Sequence, residues 1–141
     1  GRAEGRLLGG NLSILTRLLG TPHAVPLEGA VLLLEDVGER PYRLDRMLTH
    51  LELAGAPGQV AGVVVGEMAR CEDPTGGPDA GAVIVERLSR WGVPAMAGAA
   101  IGHGEANRAV PLGSPVVLDT ARAELRFTQP AFPGAPGATT S

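Results

Sequence analysis

Apolar and polar positions along the chain fall into segments with two different periods. Ala30–Leu34 and Val60–Val65 are continuous apolar runs bounded by turn residues, and such runs are expected to be buried strands. Arg6–Leu8 and Pro94–Ala97 are expected to be shorter strands. Between them the period lengthens. In "GGNLSILTRLLG", Leu12, Leu15, Leu18 and Leu19 recur at helical spacing, Asn11 is a good N-cap and Gly20 ends the run. Pro41 suits a first helical turn, and Leu44, Met47, Leu48 and Leu51 mark one face of a helix that stops near Gly55. A third helix is expected from about Asp79 to Arg90, with Val83, Ile84 and Leu88 apolar and Gly92 after its end. Val116–Asp119 and Ala123–Phe127 predict a closing hairpin. Alternating strands and helices place the chain in the α/β class, where ligands gather at the carboxyl ends of strands.

Composition narrows the picture. The 141 residues suffice for one domain with a core, and only 3% are aromatic, so that core must rest on aliphatic side chains. The 21 glycines and 12 prolines cluster between the periodic segments, as tight turns require. They also fill "TQPAFPGAPGATTS", so residues 1–127 are expected to form the domain and 128–141 a disordered tail. The net charge is −3 and all 12 basic residues are arginine; with no basic patch and few aromatics, nucleic acid is not an expected partner. The apolar runs are too short to span a membrane. Cys71 is the sole cysteine, which excludes an internal disulfide and fits a reducing compartment. Three scattered histidines and one cysteine have no metal-ligand spacing, so a structural zinc site is not expected. The chain opens on "GRAEGR" without Met, which suggests a fragment or one domain of a longer protein.

Candidate chemistry lies after the strands. His103 sits between two glycines in "IGHGEAN", which let the backbone turn and leave an imidazole open to act as a base. Glu35 and Asp36 end the first long strand. Glu35 could orient that imidazole, or it could be a helix-entry acid for the 41–55 segment, a role that fits Asp36 better. "GGNLS" could present helix N-terminal N–H groups to an anion, or Asn11 could simply cap its helix. "GHGEAN" is a poor dinucleotide loop, because Asn107 stands where the last glycine should be. None of Ser13, Ser89, Ser114 and Ser141 sits on a strand-to-helix elbow. The chain thus offers a base and an orienter without a nucleophile.

Four stretches, "GGNLSIL", "LEDVGERPYRLDRML", "GVVVGEM-R-C" and "GHGEANRAVPLG", occur in the order found in the LD-carboxypeptidase family, and the chain resembles that family over about residues 5–127. The family comprises serine peptidases, including muropeptide LD-carboxypeptidases and microcin C immunity peptidases. Its members have an N-terminal domain with the nucleophilic serine and oxyanion hole, and a C-terminal domain supplying Glu and His of a Ser–Glu–His triad. The resemblance implies that this chain is the C-terminal domain, a swivelling β/β/α-type domain with a mixed sheet and packed helices. It implies Glu35 and His103 as the catalytic pair and a partner domain carrying the serine. Asn11 and Ser13 are candidates for positioning substrate. The implied reaction is hydrolysis of the amide to a terminal D-amino acid, typically D-alanine of murein tetrapeptides, by a cytoplasmic homodimer. The resemblance implies no metal or cofactor, and the chain alone is expected to be inactive. Alternatives are a microcin C-type immunity peptidase and a non-catalytic ligand-binding or interaction domain. A phosphohistidine-carrying swivelling domain is disfavoured, because Ile14 follows Ser13 where histidine would be needed.

Overall fold

The computed structural model describes residues 1–130. Strands β1 (Arg2–Asn11), β2 (Val31–Val37), β3 (Gly62–Ala69), β4 (Ala95–Ala97), β5 (Pro115–Asp119) and β6 (Glu124–Phe127) form one mixed sheet in the order β4-β3-β2-β1-β5-β6. Helices α1 (Leu12–Leu18), α2 (Pro41–Leu53) and α3 (Ala80–Ser89) connect β1 through β4, which run parallel. This is the expected α/β arrangement, and the closing hairpin is present as antiparallel β5 and β6. The expected tail lies, from residue 131 on, outside the described residues. Thr128 still belongs to the hairpin, since its N–H donates to the Pro115 carbonyl at 3.0 Å.

β1 is far longer than the three residues the pattern suggested, because its two halves have different partners. Leu7–Asn11 pair in parallel with β2, whereas Arg2–Arg6 pair antiparallel with β5. The first half alternates charged side chains with Ala3 and Gly5, which carries too little apolar signal to read as a strand. Ala3 and Leu118 lie against Gly62 of β3, where a Cβ would stand 2.9 Å from the Ala3 Cβ and 3.2 Å from Leu118 Cδ2. The β5–β6 end of the sheet therefore covers one face of the parallel part, and the helices cover the other.

Two cores result. Leu32, Leu34, Val63 and Val65 point to the helices and meet Leu12, Leu15, Leu44, Leu48, Ile84 and Leu88. Val31, Leu33 and Val64 point the other way and meet Leu7, Val116 and Leu118, with Ile101 and Phe127 at the margin. Each fully buried leucine or valine contributes about 1.5–3 kcal/mol relative to exposure. On the helical side Arg87 of α3 also ties down α2, reaching Asp45 at 2.6 Å and Glu52 at 3.1 Å. Trp91 Nε1 donates to the same Glu52 at 3.0 Å.

Candidate active site

Alternation along β2 decides what its terminal acids do. Leu34 faces the helices, so Asp36 does too, while Leu33 and Glu35 face the opposite side. Two adjacent carboxylates thus serve opposite faces of one sheet.

Asp36 is 2% exposed and fully engaged. It accepts from Asn11 Nδ2 (3.0 Å), the Ser13 N–H (2.9 Å), Ser13 Oγ (2.9 Å) and the Val37 N–H (2.8 Å). It caps α1, which corrects the expectation that it serves the 41–55 helix; α2 starts on Pro41 and has no acid in its first turn. The anion that "GGNLS" could take is supplied internally by Asp36. Asn11 completes the cap by accepting from the Ile14 N–H at 3.1 Å. Ser13 is buried, and its hydroxyl lies between Asp36 and Glu39, whose Oε1 is 3.3 Å away. It borders a cleft of about 250 Å³ between α1 and α2, whose lining also includes Arg17, Glu39, Arg43, Arg46 and His50.

Among the described residues Glu35 has one hydrogen-bond partner. His103, in the loop after β4, places Nδ1 2.7 Å from Glu35 Oε2. The carboxylate is buried, with 9% of its side chain exposed, whereas half of the imidazole is exposed. With its proton on Nδ1, His103 donates to Glu35 and keeps the Nε2 lone pair facing outward. The two residues are 68 positions apart in the chain, and the loop's own geometry joins them. Gly102 has φ +124°, and a Cβ there would stand 2.9 Å from Glu35 Oε2. Gly66 takes the Ile101 carbonyl where a side chain would otherwise stand, and the Glu67 N–H donates to that carbonyl at 2.8 Å. Asn107, which spoils the dinucleotide motif, has a role of its own: its Oδ1 accepts from the Gly102 N–H at 3.2 Å.

The sequence reading missed Glu67 as a neighbour of the site, because it ended the strand at Val65. β3 runs on to Ala69. The signal available was the break in the apolar run at "GE", a small residue and an acid where alternation should continue.

The four candidate residues therefore form two groups. Glu35 and His103 meet on one side of β2, while Asn11 and Ser13 meet around Asp36 on the other. No described serine bonds to His103. Cys71 is buried, and that burial pushes its thiol pKa up, so it is protonated at neutral pH and a poor nucleophile. Among the described residues no set of three or more His, Cys, Asp or Glu side chains is arranged to hold a metal ion, and no helix is long and apolar enough to cross a membrane. An oriented imidazole with an open Nε2 can accept and return a proton for a nucleophile brought by another segment.

Comparison with known proteins identifies the family. The profile of the LD-carboxypeptidase C-terminal domain matches residues 4–118. A Synechocystis relative, whose own carboxypeptidase assignment is provisional, is 41% identical over 129 residues, which are 90% of this chain and 43% of that protein. The crystal structure of muramoyltetrapeptide carboxypeptidase from Oxalobacter formigenes superposes with a TM-score of 0.79 at 30% identity, over 89% of this chain and 45% of that one. The microcin C7 self-immunity protein MccF, known from Escherichia coli, superposes at 0.81 with 25% identity, over 93% and 39%. The chain spans roughly two-fifths of the length of these proteins. It belongs to the LD-carboxypeptidase family, as that family's C-terminal domain.

Proposed function

We propose that this domain supplies Glu35 and His103 to a Ser–Glu–His triad in a serine LD-carboxypeptidase. Its substrate would be a murein tetrapeptide losing its terminal D-alanine during peptidoglycan recycling. The observation that carries the reading is the 2.7 Å bond from His103 Nδ1 to a buried Glu35, with the other face of the imidazole open. In this mechanism a serine on the partner N-terminal domain attacks the scissile carbonyl carbon as His103 Nε2 takes its proton. The tetrahedral adduct collapses when Nε2 protonates the leaving amine of D-alanine. Water then attacks the acyl-enzyme, giving its proton to Nε2, and the serine is restored. Glu35 holds the tautomer and stabilises the imidazolium formed in each half. Asn11 and Ser13 would act at one remove, by fixing β2 through Asp36. The protein would work in the cytoplasm as a homodimer, and neither metal nor cofactor takes part in this scheme.

Folds do not separate this reading from a microcin-type immunity peptidase, since both structural neighbours superpose about equally well. Identity favours the murein enzyme, at 30% against 25%. The connection from α1 to β2, residues 19–30, is also short for an added nucleotide-gripping loop. The test offers a protein joining this domain to its N-terminal domain two substrates, a tetrapeptide ending in D-alanine and an aminoacyl-sulfamoyl adenylate. D-alanine release is expected, and the 141-residue chain alone should give none. Cleavage of the adenylate only, or turnover by the isolated chain, would overturn the proposal.

A further inference from the structure

β2 and β3 fall out of step at the site. Leu34 pairs with Val65 but Asp36 pairs with Met68, so Gly66 and Glu67 together oppose Glu35. Such a bulge lets two consecutive residues share a face. Gly66 faces the Glu35 Cβ and the Ile101 carbonyl, and Glu67 leans on the same loop. Met68 then returns to the helix-side core. Without the extra residue, alternation would send Glu67 toward the helices.

The Glu67 carboxyl group lies against Gly104, the residue after His103, and occupies the place a Cβ at that position would take. It is half-buried, and neither oxygen has a hydrogen-bond or ion-pair partner among the described residues. The acids around it differ: Glu35 is taken by His103, Asp36 by α1, and Glu39 by Ser13 and Arg43. A partly desolvated anion beside the imidazole, with no cation of its own, is complementary to a cationic or N–H-donating group on a bound molecule.

Resting on the peptidase reading above, we propose that Glu67 is a specificity residue that receives a side-chain ammonium on the substrate residue preceding the released D-amino acid. The test uses the two-domain protein, wild type and Glu67→Gln, with two tetrapeptides ending in D-alanine. One carries a free lysine amine before it, the other the Nε-acetylated lysine. The wild type should favour the free amine, and Glu67→Gln should reduce the ratio of the two kcat/KM values about tenfold, through KM. Glu67→Asp, which keeps the charge, should recover part of the preference. Binding of the two tripeptide products, which needs no turnover, is measured alongside. Discrimination in binding without any hydrolysis would count against the peptidase reading and leave the role of Glu67 standing. Hydrolysis without amine preference, or equal losses on both peptides in Glu67→Gln, would overturn the role of Glu67 and leave the peptidase reading standing.

Discussion

Glu35 and Asp36 are consecutive carboxylates at the end of one strand, both nearly buried, and they live in opposite environments. Asp36 is saturated, with two backbone N–H groups, a hydroxyl and an amide around it. Glu35 bonds to a single imidazole whose other nitrogen is open. A saturated buried acid has no capacity left for chemistry and holds elements together. An acid with one mobile, half-exposed partner can change its interaction as a proton moves through that partner. Burial alone would have ranked the two together; the number and kind of donors separates them.

This contrast can be broken from either side. The largest effect is expected on the Glu35 side. In the two-domain protein His103→Ala should lower kcat by about 10⁴-fold or more, and Glu35→Gln by about 10³–10⁴-fold. Denaturant midpoints should hardly move in either variant, since His103 is half exposed and the Gln amide fills the Glu35 site. A loss of folding that tracks the loss of rate would sink the distinction.

Asp36→Ala should do the reverse. Stranding the buried Ser13 N–H and hydroxyl should cost up to about 3 kcal/mol of stability. Urea denaturation measures it, and a change under about 1 kcal/mol would show that water or Glu39 replaces the carboxylate.

The smallest effect belongs to the α2–α3 contact, far from both acids. The Arg87 guanidinium, hydrogen-bonded to Asp45, holds that carboxyl below its ordinary pKa, against the opposing effect of burial. A depressed folded-state pKa stabilises the fold above the unfolded value and loses that contribution as pH falls through the folded one. Asp45 is 42% exposed, so solvent screening keeps the contribution below about 1 kcal/mol. Asp45→Asn should therefore lessen the loss of stability on acidification below about pH 4. A pH-stability curve identical to wild type would assign the acid sensitivity elsewhere.

Most elements were legible in the sequence, for reasons that particular residues show. Leu44, Met47, Leu48 and Leu51 describe α2 because a helix needs only one apolar stripe, and spacing records it. The turn at "GHG" was legible because Gly102 needs its positive φ. The first half of β1 was not, since a strand exposed on one face and carrying Ala3 and Gly5 leaves little apolar trace. Asp36 was assigned to the helix nearer in sequence and caps α1, which follows the neighbouring strand on the same face. Glu67 went unnoticed because a bulge adds a residue without changing composition.

The sequence by itself determined the alternation of strands and helices, the lack of a serine on an elbow and, through the order of its motifs, the family. These rest on local periodicity and on which residue types are present, both of which are written along the chain. Tertiary structure alone decided which face each acid takes, that Glu35 meets His103 across 68 positions, and that Glu67 joins them. Facing depends on strand register, and a single extra residue in β3 reverses it; the break at "GE" in "GVVVGEM" marks the place without saying which face Glu67 takes.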